Sequence, residues 1–309
     1  MSLYLVTGAA GFIGSAIATK LLSEGHRVVT IDNLSTGFVS AIPKDCEFYE
    51  GDCQDPLIYE KIPQERYDAV YHIAGQSSGE ISFDDPTYDL RTNAESTLII
   101  LKFCMANGCN RVLFASTMSV YGEQPVDMPV FEVAETNPQS FYGVGKLASE
   151  HYLRIYESYG IHTTSLRLFN VYGPGQNLEN MRQGMVSIYL SQMIQTGHIH
   201  VKGSAERYRD LVYIDDVVEI FVGCESNSAT YGEIINVSTG VKTKVCDLVD
   251  TLIAHYGHSV TVEYSGSTAG DIHGIYGDNN KLKSLFDIEC VSVYSGTRKM
   301  LDWANGLQK

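Results

Sequence analysis

"VTGAAGFIGSA" (residues 6–16) spaces three glycines, Gly8, Gly11 and Gly14, three apart where a short apolar run gives way to helical periodicity. The run before it, LYLVT (3–7), reads as a buried strand, and the stretch after it predicts a helix near 12–24. Glycines at such a junction let the backbone turn tightly and approach a pyrophosphate, whose charge then meets the N-terminus of the helix. The spacing is GxxGxxG rather than GxGxxG. Alone it is a weak signal; its strand–loop–helix setting makes it a cofactor loop.

Working outward, the same alternation continues. RVVTID (27–32), EFYEGD (47–52), AVYHIAG (69–75), RVLFAST (111–117) and TTSLRLFN (163–170) read as further strands, and helices are expected over 87–107 and 141–159. Strands alternating with helices imply a parallel sheet covered on both faces, a Rossmann-type doubly wound α/β fold. Beyond VYGPGQN the pattern loosens. A helix near 184–196, strands near 199–201, 211–213 and 260–265, a helix at 243–256 and two terminal helices suit a smaller α/β substrate-binding domain, while IINVST (234–239) returns to the main sheet. The expected division is a cofactor domain over 1–173 with a returning segment near 211–240, and a substrate domain over 174–309.

Asp32 ends the second strand, 18 residues past Gly14. A carboxylate there accepts hydrogen bonds from the ribose hydroxyls of NAD and repels the 2′-phosphate of NADP; the bland alternative is a cap on the turn DNLSTG. Asp52, in EGDC, is a candidate partner for the adenine amino group, and Cys53 beside it reads as packed rather than reactive.

The totals narrow the classes. Of 309 residues 44% are hydrophobic and 19% charged, enough for a sizeable core. The net charge of −15 argues against a nucleic-acid partner, which needs a basic face. No apolar run is long enough to span a bilayer, and MSLYLVTGAAG lacks a charged signal-peptide front, so a cytoplasmic protein with no membrane partner is expected. Seven scattered cysteines without a CxxC pair read as reduced thiols. The pairs His198/His200 and His255/His258 have no cysteine or carboxylate cluster at ligand spacing, so no metal site is expected.

"SFYGVGK" (140–146) then places Tyr142 and Lys146 on one face of a helix that also carries Gly143 and Gly145. Each glycine costs about 1 kcal/mol relative to alanine, so helix stability alone does not select this stretch. A lysine beside a tyrosine holds a cofactor ribose and lowers the phenol's pKa, and small neighbours let cofactor and substrate approach. Burial pushes the phenol the other way, so positive charge has to dominate. FASTMSVYG (114–122) adds Thr117 at a strand end as a hydrogen-bond partner for a substrate hydroxyl, with Ser116 and Ser119 as alternates.

With TGAAGFIG, DNLSTG, EGD, HIAGQ, STMSVYG, YGVGK, RLFNVYGPGQ and RYRDLVYIDDV on the page, the chain resembles the extended short-chain dehydrogenase/reductase family, in its nucleotide-sugar epimerase and dehydratase branch. The resemblance spans residues 7–217 and implies NAD as cofactor and a nucleotide-diphosphate sugar as substrate. It implies catalytic roles for Thr117, Tyr142 and Lys146, and cofactor contacts from Gly8, Gly11, Phe12, Ile13, Gly14, Asp32, Asn33, Asp52, Cys53, Ala74, Gly75, Tyr142 and Lys146. Thr117, Asn170 and Arg209 would bind substrate, the last two at its diphosphate. Where many relatives carry an arginine two positions before a Gly-Asp pair, this chain has Thr268 before Gly270–Asp271. Related enzymes pair the helices at 87–107 and 141–159 into a homodimer; here those segments carry Leu98, Leu101, Met105, Leu147 and Ile155.

In this branch the tyrosine takes the proton of the sugar 4-hydroxyl as the C4 hydride passes to NAD, and the fate of the 4-keto sugar decides the reaction. Family 4,6-dehydratases carry an Asp–Glu pair where Met118 and Ser119 stand, and decarboxylases a glutamate at the place of Ser119. Return of hydride to the opposite face, a 4-epimerisation, is therefore the expected outcome. The alternatives are a C4 dehydrogenase, a 4,6-dehydratase and a non-catalytic NAD-binding regulator.

Overall fold

Strand β1 (Leu3–Thr7) is buried at all five positions, as the central strand of a sheet covered on both faces must be. The computed structural model describes residues 1–125, 128–266 and 272–307. Around β1 lie β2 (Arg27–Asp32), β3 (Glu47–Glu50), β4 (Ala69–His72), β5 (Arg111–Thr117) and β6 (His162–Leu168). After β7 (Asn170–Tyr172), β8 (His198–Lys202), β9 (Tyr208–Arg209) and β10 (Leu211–Tyr213), β11 (Glu233–Val237) returns to this sheet. Its order is β11-β6-β5-β4-β1-β2-β3. The pairs from β3 through β5 are parallel, with Thr7 opposite Ile31 on one side and His72 on the other. Strand order thus reverses between β1 and β4, the switch point where open α/β sheets receive ligands at their carboxyl ends.

Helices α1 (Phe12–Ser23), α2 (Ile58–Lys61), α3 (Pro86–Leu90), α4 (Ser96–Asn107) and α5 (Phe141–Tyr156) accompany the first strands. Ile100, Leu101, Phe103 and Cys104 of α4 and Leu153 of α5 pack with Leu5, Val29, Ile31, Val70, Val112 and Phe114 of the sheet. Fully burying each such Leu, Ile, Val or Phe contributes about 1.5–3 kcal/mol.

The helix expected over 87–107 is three pieces. Asp85 caps α3 by accepting from the Tyr88 N–H at 2.9 Å, with Pro86 in the first turn. A π-turn over Arg91–Glu95 then leads into α4. Hydroxyls bend it: Thr92 donates to the Asp89 carbonyl, Ser96 to that of Thr92 and Thr97 to that of Asn93. Two strands are shorter than the sequence suggests. β3 stops at Glu50, leaving Asp52 in the following loop, and β6 stops at Leu168, so Asn170 opens the separate β7.

Contacts group the chain into two compact units, one of Met1–Val120, Pro138–Arg167 and Val218–Ile235, the other of Tyr121–Asn137, Leu168–Val217 and Asn236–Lys309. Later elements are α6 (Met185–Thr196), α7 (Ile214–Ser226), β12 (Thr243–Lys244), α8 (Val245–Tyr256), β13 (Thr261–Ser265), β14 (Gly274–Ile275), α9 (Asn280–Leu285) and α10 (Val293–Leu307). In the second unit β7 pairs with β10, β8 with β13, and β9 lies between β12 and β14. Among the described residues no helix is long and apolar enough to cross a membrane.

Candidate active site

Gly8 sits at φ +75°, and a Cβ there would stand 2.8 Å from the Ala74 nitrogen. A Cβ on Gly14 would stand 2.1 Å from the Gly8 carbonyl oxygen. Two of the three glycines are therefore required by the close approach of loop, β4 and α1. Gly11 is the N-cap of α1, supplies no side-chain cap, and no acidic residue lies in the first turn. The leading N–H groups of this twelve-residue helix, those of Phe12 and Ile13 among them, keep the capacity to bind an anion.

Asp32 is buried and uses both oxygens on the backbone, Oδ2 accepting from the Ala10 N–H at 2.9 Å and Oδ1 from the Leu34 N–H at 2.8 Å. It thus caps the turn and ties it to the glycine loop, with a lone pair on each oxygen to spare. Asn33 donates to Asp52 Oδ2 at 2.8 Å, and Gln54 donates to Asp52 through both its backbone and its side chain. Cys53 is buried, and burial first, then Asp52, pushes its thiol up to about 12, as befits a packing residue.

Thr117, Tyr142 and Lys146 come together in the first unit, all buried. Ser140 caps α5, its hydroxyl accepting from the Gly143 N–H at 3.1 Å. Burial pushes the Tyr142 phenol up to about 12; Thr117 hydrogen-bonds it and opposes the rise, while Asp89 adds to it. Burial pushes the Lys146 ammonium down to about 8, against the pull of Asp89. Bringing the phenol from there to neutrality takes about 7 kcal/mol of added positive potential. Of the alternates, Ser119 hydrogen-bonds Thr117 Oγ1 through its hydroxyl and its N–H. Ser116 donates to Glu150, which forms a buried two-pronged ion pair with Arg167.

The two glycines of this helix serve packing rather than ligand approach. A Cβ on Gly143 would stand 2.7 Å from the Ser119 carbonyl oxygen, and one on Gly145 3.0 Å from Asn93 Cβ. Their space is taken by protein.

Sequence reasoning missed Gln76, Asp89 and Asn93. Asp89 Oδ2 accepts from Gln76 Nε2 at 2.8 Å and from Asn93 Nδ2 at 3.2 Å. Gly75, at φ +155°, has no room for a Cβ, which would lie 2.4 Å from Asn93 Oδ1 and 3.1 Å from Lys146 Nζ. The Asp-x-x-x-Asn spacing places both residues on one helical face and could have signalled the pair. Ala74 donates its N–H to Thr7 Oγ1, which also hydrogen-bonds His72.

In the second unit, Asn170 donates through its N–H and its side chain to the Asp210 carbonyl. Arg209 is buried; its guanidinium donates to the carbonyls of Tyr208, His273 and Ile272, and burial followed by neighbouring Arg207 pushes it down to about 10. The Asp210 carboxylate accepts from the Thr239 N–H and hydroxyl and from the N–H groups of Gly240 and Gly277, which fixes the strand that carries Arg209. Thr268 and the Gly270–Asp271 pair lie outside the described residues. His198 and His200 hydrogen-bond Thr261 and Ser265, and His255 the Tyr294 carbonyl. Among the described residues no group of three His, Cys, Asp or Glu side chains could hold a metal ion.

With this geometry the comparisons agree. The sequence model of the NAD dependent epimerase/dehydratase family matches residues 4–238. The chain belongs to that family. It is 33% identical over 301 residues to a putative UDP-glucose 4-epimerase of Methanocaldococcus jannaschii, covering 97% of each chain. Among solved structures, it superposes on the UDP-glucose 4-epimerase of Thermotoga maritima, crystallised with UDP-glucose, with a TM-score of 0.95, 33% identity and coverage of 99% and 100% of the two chains. The Thermus thermophilus UDP-glucose 4-epimerase, in complex with NAD, gives 0.91 at 31% identity, covering 98% and 99%. The residues here fit the family's cofactor: an uncapped helix N-terminus faces the loop of glycines, and Asn93 Oδ1, near Lys146 Nζ, is buried without a partner.

Proposed function

We propose that this protein is an NAD-dependent nucleotide-sugar 4-epimerase working through a transient 4-keto sugar. The observation that carries the reading is the buried Thr117–Tyr142–Lys146 set at the carboxyl ends of the sheet, with Met118 and Ser119 where a dehydratase needs its acids. NAD, when bound, takes the hydride from sugar C4 and returns it. Thr117 holds the 4-hydroxyl, Tyr142 Oη accepts its proton, and the Lys146 ammonium favours the phenolate and orients a ribose. Gly8, Gly11, Phe12, Ile13 and Gly14 take the pyrophosphate, Asp32 and Asn33 the adenosine ribose, Asp52 and Cys53 the adenine, and Ala74 and Gly75 approach the dinucleotide from β4. Asn170 and Arg209 take the sugar-nucleotide diphosphate. In this reading residues 1–173, with the returning segment near 211–240, form the cofactor domain and 174–309 mainly the substrate domain.

Relatives that act on UDP-glucose make UDP-glucose and UDP-galactose the first substrates to offer. The protein as purified, supplied with NAD, is incubated with UDP-, GDP-, CDP- and dTDP-sugars and the products are separated. Interconversion of a C4-epimeric pair without net NADH supports the reading. Stoichiometric NADH with a released keto sugar makes the enzyme a C4 dehydrogenase; loss of water makes it a dehydratase. We further propose a cytoplasmic homodimer supplying glycosyl donors for polysaccharide biosynthesis.

A further inference from the structure

Behind Lys146 lies a carboxylate to which the reaction above gives no task. Asp89, at the end of α3, is 1% exposed. Both of its hydrogen bonds, from Gln76 and Asn93, fall on Oδ2, while Oδ1 is buried with no partner. A carboxylate kept only as a hydrogen-bond acceptor would be better served by a neutral amide, because a buried charge is costly unless it is compensated.

The groups facing it are few. Helix α5 presents Lys146 and Tyr142; burial pushes the Asp89 carboxyl up, and Gln76, Asn93 and then Lys146 pull it back. The π-turn contributes neutral Asn93, and the loop after β4 neutral Gln76. His72 of β4 lies near Lys146 but is fully buried and, chiefly by burial, pushed down to about 3, so it is uncharged. Glu150, one turn along α5, is matched by Arg167.

Building on the epimerase reading, we propose that Asp89 is a positioning residue whose negative charge, set behind the Tyr142–Lys146 pair, keeps Lys146 an ammonium and fixes the pH window in which the pair works. The sign follows from charge alone. A nearby carboxylate favours the lysine cation and disfavours the tyrosine anion, so it raises both titrations; removing it lowers both. A residue that merely supports the fold displaces neither.

Asp89→Asn isolates the charge, since an amide oxygen at the place of Oδ2 keeps both hydrogen bonds. Two readouts are taken on the purified protein. In the pH dependence of kcat, both limbs are expected to move to lower pH by about one unit. In the cofactor-free chain, acylation of Lys146 by acetic anhydride, followed by mass spectrometry against pH, is expected to show its midpoint falling by about the same amount. Limbs and midpoint that stay at their wild-type values in a folded variant overturn the proposal. If Asp89→Asn does not fold, Asp89→Ser removes the same charge with a smaller side chain. The wild-type chain supplies a further test, because finding Lys146 neutral at pH 7 also overturns it. A wild-type protein that interconverts no sugar defeats the epimerase reading instead, and the Lys146 titration still decides the role of Asp89.

Discussion

At Tyr142 burial and function pull in opposite directions. The chain alone holds the phenol near 12, which keeps it protonated until positive charge arrives, and Lys146 is the one cation the chain brings to it. Tyr142→Phe keeps the ring and removes the proton carrier. Its kcat is expected to fall by about 10³-fold, with melting temperature and NAD affinity near wild type. Near-normal turnover would remove Tyr142 from the mechanism. Asp32 combines two roles, since its oxygens hold the Ala10 and Leu34 N–H groups while its charge opposes a 2′-phosphate. Asp32→Ala is therefore expected to narrow the preference for NAD over NADP and also to lower the melting temperature; unchanged cofactor selectivity would refute the assignment. Arg209 is already bound to three carbonyls, so its guanidinium is held in place before any ligand arrives. Arg209→Ala should raise the Kd for nucleotide sugar at least about tenfold, some 1.4 kcal/mol, with NAD affinity unchanged. Normal sugar binding would mean that the diphosphate sits elsewhere.

Helix α5 is where element-scale reading succeeded and also where it stopped. Tyr142, Lys146 and the glycine loop are local patterns, and a motif a few residues long is legible in the chain. The reason for Gly143 is not local: its missing Cβ makes room for the Ser119 carbonyl and for Pro138, residues brought there by tertiary packing. Gln76, Asp89 and Asn93 converge from a loop, a short helix and a π-turn, and the hydroxyl-to-carbonyl bonds that break the helix at Arg91–Glu95 leave no mark on hydrophobic periodicity. In isolation Gly143→Ala should stabilise a helix by about 1 kcal/mol. Here the added methyl would sit 2.7 Å from the Ser119 oxygen, two residues after Thr117, and backbone has to move. The expected result is no gain in melting temperature and a kcat lowered by about tenfold, from a misplacement of Tyr142 relative to Thr117. A more stable variant with full kcat would show that the contact is slack.

For the whole molecule, the two faces of α5 are the reverse of an ordinary surface helix. Its buried face carries Tyr142, Lys146, Ser149 and Glu150, while Phe141, Val144 and Ile155 are 45%, 52% and 57% exposed. Leu90 and Met105 are also exposed, and Phe83 meets Phe141 edge-on at 5.4 Å. Leu101, expected on the outside, is instead in the core, and Leu98 and Leu147 are half-buried. An apolar stripe on the outer side of a helix whose inner side is polar needs a cover. A second copy of the chain supplies one, since an isologous contact lays the same stripe against itself. The net charge of −15 per chain opposes such pairing, so the contact has to be apolar and salt should tighten it by screening the repulsion. Sedimentation velocity at micromolar concentration is expected to show a dimer that persists or strengthens from 0.05 to about 0.5 M salt. Val144→Lys combined with Ile155→Lys places two like charges per chain across the stripe and should yield monomers that keep their fold. A wild-type monomer at every salt concentration, or a double variant that stays dimeric, would mean that this face is not the interface.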